Sequence, residues 1–140
     1  MLTIAAVCFK RWRNESPKLY NCLGSENYPH MTSEDIKTIE GKLDVMLPHP
    51  FVEAALSGAF KDPLHDDPGS IVGINMSLRS GDFGDENWNP NLVAFGHDGG
   101  GNYFCIDVQN IDAGVFLRDH ETLETTKEHE SFSRFIQEWT

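Results

Sequence analysis

Two short runs of this sequence place imidazoles beside carboxylates, the pairing that metal-dependent hydrolases and acid–base catalysts use. They are His65-Asp66-Asp67 and His97-Asp98. A divalent cation binds neutral imidazole nitrogens and carboxylate oxygens, so either run could contribute to a metal site. Both runs also stand at predicted turns, where an Asp side chain commonly hydrogen-bonds to nearby backbone. The turn interpretation is favoured, and a small metal-dependent hydrolase is the weaker alternative.

Nucleophilic catalysis has less support. The chain contains no Gly-x-Ser-x-Gly motif, and no two of its three cysteines stand at C-x-x-C spacing. Cys105 alternates with the other residues of a predicted strand, which is typical of a small buried hydrophobe. Asp98-Gly-Gly-Gly-Asn102 is rich in glycine but lacks the Lys of a phosphate loop and leads into a strand. The sequence therefore predicts no catalytic residue, no metal site and no cofactor.

The charge of the chain excludes two classes of partner. The net charge is −11, and the first 31 residues carry four bases and two acids, so the remaining residues carry −13. Binding to nucleic acid depends on neutralising phosphates with Lys and Arg, and an acidic surface opposes it. Anionic membranes are repelled for the same reason. The charge either serves solubility alone or attracts a basic protein partner.

The acids concentrate in the middle of the chain. Residues 62–98 contain seven acids and one base, Arg79. Because such charges cannot form a core, we expect them to be solvated or to face a partner. Trp88 stands among them in a Gly-, Asp- and Asn-rich loop, and it either anchors a partner or folds back onto the core. The predicted partner-binding residues are Asp66, Asp67, Asp82, Phe83, Asp85, Glu86 and Trp88.

Three helices are predicted to accompany these residues. Thr32 or Ser33 is the expected N-cap of the first, whose apolar residues recur at helical spacing until Pro48 ends it. Pro50 can begin the second, which is expected over residues 51–59. Ser131 is the expected cap of the last helix, where apolar residues at i, i+3, i+4 and i+7 indicate one buried face. That face consists of Phe132, Phe135, Ile136 and Trp139.

Strands account for most of the remaining apolar sequence. They are expected at residues 2–9, 71–76, 91–96, 102–108 and 114–118. Loops are expected at 61–69, at 79–90 and, as a loop or a helical turn, at 119–130. Trp12 is expected to pack on the domain. Gly99, Gly100 and Gly101 join two of the strands in a tight bend, so we expect a positive φ there that a β-branched residue would resist.

Three segments in this order resemble the SMI1/KNR4 family, of the SUKH superfamily. The first is the helix that ends in Leu47-Pro48, and the last is the helix that begins Ser131-Phe-Ser-Arg-Phe-Ile136. Between them, Asp98-Gly-Gly-Gly-Asn-Tyr-Phe-Cys-Ile-Asp107 is the most specific part. The resemblance covers residues 32–140. Residues 1–31 form an N-terminal segment that it does not place.

The resemblance implies both a fold and a function. The expected fold is α+β, with a single, mostly antiparallel sheet and helices packed mainly on one face. Many bacterial members of the superfamily are immunity proteins that bind and neutralise a cognate secreted toxin, often a nuclease, whereas fungal members act in regulation through protein contacts. The expected function is therefore non-catalytic binding of a basic toxin, with a regulatory or scaffold module as the alternative. Apolar residues 2–9 precede the first bases and are too short to span a membrane, so a cytoplasmic location is expected.

Overall fold

The computed structural model describes residues 31–60, 64 and 67–139. The strand predicted at 2–9, the packing of Trp12, and the site residues His65 and Asp66 lie outside these residues. The helices are α1 (Ser33–Leu43), α2 (His49–Leu56), α3 (Pro68–Ser80) and α4 (Phe132–Trp139). The strands are β1 (Leu92–His97), β2 (Tyr103–Asp107), β3 (Val115–Arg118) and β4 (Thr125–His129), with a 3-10 turn at Ile111–Ala113.

Helices α1 and α2 lie where the sequence predicts them, with shifted ends. Thr32 caps α1 reciprocally: its Oγ1 accepts from the Asp35 backbone N–H at 3.2 Å, and the Asp35 carboxylate accepts from the Thr32 N–H at 2.9 Å. The helix ends at Leu43, before Pro48, because Asp44 adopts a left-handed conformation with φ 55°. Helix α2 begins directly after Pro48, two residues before the predicted start.

The strand predicted at residues 71–76 is wrong, since this segment lies inside helix α3. The neighbouring β-branched residues Ile71 and Val72 suggested a strand, but the capping residues decide the structure. Asp67 accepts from the Ser70 backbone N–H at 2.9 Å and Pro68 occupies the first turn, so the helix begins there. Gly81, with φ 87°, ends it.

The loop or helical turn predicted at 119–130 is also wrong in part, because Thr125–His129 forms strand β4. Its charged residues suggested a loop. However, β4 is the last strand in the order β1-β2-β3-β4, where one edge and one face are free to carry polar side chains. It pairs antiparallel with β3 through a bulge, so that Val115 lies opposite His129 and Phe116 opposite Lys127.

The first face of this antiparallel sheet packs against the helices, which confirms the α+β fold. Phe95 lies at the centre, with the rings of four other phenylalanines 5.5–5.9 Å from its own between centroids. These four are Phe51, Phe60, Phe132 and Phe135. The predicted apolar stripe of α4 is confirmed as part of this core, with Phe132 and Phe135 buried and Ile136 and Trp139 packed beside them. Burial of this apolar surface is the main stabilisation of the domain.

Helix α3 closes the outer edge of β1 with one buried amide. Asn75 Nδ2 donates to the Ala94 carbonyl at 2.9 Å, and its Oδ1 accepts from the Ala94 N–H at 2.8 Å. The same Nδ2 donates to the Ile71 carbonyl at 2.7 Å. The side chain therefore satisfies backbone groups that a further strand would otherwise pair. Leu64 pairs with Gly96 farther along the same edge.

Replacing Asn75 by leucine is expected to lower the free energy of unfolding by about 2 kcal/mol, because buried backbone groups of Ala94 lose their partners. The free energy comes from chemical denaturation. The control is Met76→Leu at the next position of α3, where the side chain is 50% exposed and the change should be small. Equal midpoints for the two variants would show that the amide contributes little.

Candidate functional site

The predicted binding residues fall mainly in one segment, residues 81–91, which we call the acidic loop. It joins α3 to β1 and lies against the second face of the sheet. A small cluster of Leu78, Ala94 and Cys105 is buried there, and Trp88, Leu92, Tyr103 and Phe116 pack around it, partly buried. Cys105 is fully buried, which confirms its interpretation as a core residue, and this burial raises the pKa of its thiol to about 12.

Asp85 holds the middle of the acidic loop against the sheet. Its carboxylate receives two bonds from the Arg118 guanidinium, one of them from Nε at 2.9 Å. The same guanidinium donates to the Phe83 carbonyl at 3.3 Å. Asp85 is 8% exposed and Arg118 is 2% exposed. Of the two expectations for Asp85, solvation is therefore wrong, because a buried arginine neutralises the carboxylate, and contact with a partner stays a prediction.

Arg79 holds the end of the loop. Its Nη1 donates to the Leu43 carbonyl at 2.6 Å and its Nη2 to the Pro90 carbonyl at 3.0 Å, so one side chain links the end of α1 to the acidic loop. Its Nε is buried without a hydrogen-bond partner. Both guanidinium groups are thus occupied by internal hydrogen bonds, and of the two only Arg118 is in an ion pair with an acid of the loop.

The loop presents its remaining predicted residues to solvent. Asp82 and Glu86 are exposed. Phe83 is 39% exposed, with its other side against the Tyr103 ring at 6.1 Å between centroids and the Arg118 guanidinium 5.8 Å from its own centroid. Stacked in this way, the ring is held in place while part of it remains accessible.

Trp88 folds back onto the core and stays partly exposed. It packs on the cluster of Leu78, Ala94 and Cys105, which favours the core-covering interpretation. Its indole Nε1–H is buried and has no hydrogen-bond partner. Whether it also anchors a partner stays a prediction.

Asp67 belongs to a different part of the molecule. Its two carboxylate oxygens accept from the Ser70 N–H and hydroxyl, both at 2.9 Å, which fixes the start of α3. The 13 residues of that helix separate it from the acidic loop by about 20 Å along the axis. The structure therefore brings together Asp82, Phe83, Asp85, Glu86 and Trp88 but not Asp67, whose carboxylate caps α3.

The candidate catalytic pair His97-Asp98 builds the β1–β2 turn. The Asp98 carboxylate accepts from the backbone N–H groups of Gly100 and Asn102 and from the Asn102 side chain. The Gly100 bond contributes most to holding the pKa of Asp98 below its usual value. This stabilisation is present at neutral pH and is lost as the pH falls through the folded-state pKa. Within the described residues, no three His, Cys, Asp or Glu side chains are grouped to hold a metal.

The positive φ expected in this turn occurs at Gly99 and Gly101, with φ 87° and 102°, but not at Gly100. The expectation of a positive φ in the bend is therefore confirmed at two of its three glycines. A Cβ at Gly101 would also lie 3.1 Å from His120 Nδ1, whereas one at Gly100 would meet only the Asp98 carboxylate at 3.6 Å.

We expect Gly101→Ala to lower the free energy of unfolding by about 1–2 kcal/mol, from the strained φ and this close contact. Gly100→Ala, one position away, should change it by less than about 0.5 kcal/mol. Thermal unfolding of both variants measures the difference. Similar losses of unfolding free energy in the two variants would mean that the turn tolerates no side chain at either glycine, whatever the φ of that glycine.

No sequence pattern indicated that Arg79 and Arg118 hold the acidic loop, or which segment faces that loop. The turn between β3 and β4, residues 119–124, places Leu123 against the loop, where its Cδ1 would lie 3.3 Å from a Cβ on Gly84. A cleft of about 450 Å³ separates the two segments. Arg118 follows Val115-Phe116-Leu117 as the last residue of a short strand. The two-residue period of a strand places its side chain on the same face as Phe116, and this was the one sequence signal that could have predicted its burial.

Comparison with known proteins agrees with this arrangement. The profile described as the SMI1 / KNR4 family (SUKH-1) matches residues 30–138. No curated protein matches the chain. Among the described helices, none has the length and apolar character needed to cross a membrane. Because the match covers most of the sequence and includes the helices, the glycine-rich turn and the sheet described above, the chain belongs to the SMI1/KNR4 (SUKH-1) family.

Proposed function

We propose that this protein is a non-catalytic binding domain, an immunity protein that neutralises a basic, nuclease-type secreted toxin by direct contact. The observation that carries the proposal is the acidic loop: two arginines hold it in place while Asp82, Phe83 and Glu86 face solvent. Nuclease toxins need basic surfaces to hold phosphates, and such surfaces complement this loop. We also propose that it acts in the cytoplasm.

A fixed loop suits this role for an energetic reason. A flexible loop loses conformational freedom when a partner orders it, and that loss weakens binding. Here the loop is already held at Asp85 and Pro90, so little further ordering is needed. The exposed carboxylates can accelerate the encounter with a basic protein, and the accessible part of Phe83 offers apolar contact.

The test is the rate of association with the toxin at low and at physiological salt. In the variant Asp82→Asn/Glu86→Gln, association should slow by about tenfold at low salt, and its salt dependence should weaken. The control is Glu34→Gln/Glu53→Gln, which changes the net charge equally at exposed positions of α1 and α2. Asp85 is left unchanged in both variants, because replacing it would break the ion pair that holds the loop against the sheet.

Equal rates for the loop variant and the control would place the binding face elsewhere. The toxin to be tested is sought among large modular secreted proteins encoded beside this gene. If no such neighbour exists and the protein captures an unrelated basic partner, the alternative of a regulatory or scaffold module is favoured, with the same loop as the contact.

A further inference from the structure

The cleft between the acidic loop and the β3–β4 turn has a volume of about 450 Å³, within the range of pockets that take small ligands. One part of its lining is apolar, from Trp88, Leu92 and Leu123. Another is polar, from Glu86 and Asn87. A mixed lining of this kind fits a ligand with both an apolar stem and a polar, charged end.

The wall of the cleft that carries Leu123 is strained. Leu123 has φ 63°, a left-handed conformation that is unfavourable for a residue other than glycine. The turn holds it there: the Leu123 N–H donates to the Asp119 carbonyl at 2.8 Å, and the Asp119 carboxylate accepts from the backbone of Glu121 and Thr122. The fold thus maintains a leucine against the acidic loop at a position better suited to Gly or Asn.

The charge at the cleft is negative and unbalanced. Glu86 is exposed and has no ion-pair partner among residues 31–60, 64 and 67–139. Of the two arginines that contact the loop, Arg118 is paired with Asp85, and Arg79 donates to the Leu43 and Pro90 carbonyls. Lys127 shares a sheet face with Thr125 at the cleft, but its Nζ lies 3.5 Å from the Glu130 carboxylate. A cation entering the cleft would therefore meet an uncompensated carboxylate.

We propose that this cleft receives an arginine side chain of the basic partner, an inference that rests on the proposed function and specifies its chemistry. The apolar lining would hold the methylene stem, and the guanidinium could lie on the Trp88 ring while donating to Glu86 and to the Asn87 amide oxygen. Lysine fits less well, because its compact ammonium stacks on aromatic rings less readily and is more strongly hydrated.

The inference can be tested without the toxin. The ¹⁵N-labelled full chain is titrated with a blocked triarginine peptide, and with tricitrulline as a neutral peptide of the same shape. Arginine should shift the Trp88 indole resonance, identified by its absence in Trp88→Phe, together with the amides of Glu86 and Leu123. Citrulline should not shift them. Shifts of equal size at Glu34 and Glu53, or none in the cleft, would overturn the inference.

Two variants sharpen this test. Glu86→Gln should weaken peptide binding by about three- to fivefold, as expected for one partly exposed ion pair, whereas Glu53→Gln, in the open groove between α2 and α4, should leave it unchanged. Leu123→Asn removes the apolar wall but suits the left-handed backbone, so it should weaken binding without lowering the unfolding temperature. Unchanged peptide affinity in both variants would refute the cleft as the site.

This outcome is separable from that of the proposed function. If Asp82→Asn/Glu86→Gln slows association with the toxin while triarginine does not enter the cleft, the loop binds through its exposed rim and only the arginine inference fails. If triarginine occupies the cleft but no toxin binds the protein, the site stands and the immunity function fails.

Discussion

Replacing Arg118 by methionine is expected to lower the free energy of unfolding by about 3–5 kcal/mol. The reason is the carboxylate that the change leaves behind. Asp85 is 8% exposed and would lose its buried counter-ion, and the Phe83 carbonyl would lose a donor. Chemical denaturation of the purified variant measures the loss.

Two further variants show whether the isolated charge is the cause. Asp85→Leu/Arg118→Met removes both charges, so it should recover about half or more of the stability lost by Arg118→Met alone. Arg134→Met, at an exposed position of α4, should change the free energy of unfolding by less than about 0.5 kcal/mol. If Arg118→Met lowered the free energy of unfolding no more than Arg134→Met does, the ion pair would not hold the loop.

Gly114→Ala is expected to lower the free energy of unfolding by a similar amount, about 3–5 kcal/mol. Gly114 precedes β3 with φ 102° and ψ −158°, a region of backbone conformation that is essentially restricted to glycine. An added Cβ would also overlap the His129 carbonyl oxygen at the end of β4. Because the backbone fixes the position of the Cβ and the carbonyl oxygen is itself a backbone atom, a rotamer change cannot relieve the overlap, and the β3–β4 pairing must shift.

The matched control is Gly41→Ala in α1, where an added Cβ meets nothing within 4 Å. It should raise the free energy of unfolding by up to about 1 kcal/mol, because alanine favours the helix. Thermal and chemical unfolding of both variants give the comparison. If Gly41→Ala and Gly114→Ala lowered the free energy of unfolding by the same amount, this account would be contradicted.

The sequence was most informative where a local signal and the fold agree. Thr32 caps a helix, the stripe of α4 faces the core, and Gly99–Gly101 turns a hairpin, because capping, helical period and positive φ are properties of a few neighbouring residues. The strand prediction for residues 71–76 was wrong because Ile71 and Val72 have strand propensity. The residues that cap the two ends of α3, Asp67 and Gly81, lie outside that segment.

The candidate site could be predicted only in part. Local composition indicated the acidic loop, but it could not show that Asp85 is buried, because its partner Arg118 is 33 residues away. Asn75 closes a strand edge 19 residues along the chain. Such contacts depend on tertiary structure and leave no short-range pattern. Strand β4 escaped detection for a related reason: at a sheet edge its charges are tolerated without the alternation of a half-buried strand.

The two arginine contacts have a consequence for how this surface can evolve. Asp85 is bound to the fold through Arg118, so a mutation at either position risks the whole domain and should rarely survive alone. Asp82 and Glu86 face solvent in the same loop and can change without such a penalty. Under the proposed function, substitutions at Asp82 and Glu86 would therefore change which toxin is recognised at little cost in stability, while Asp85 and Arg118 keep the loop in place.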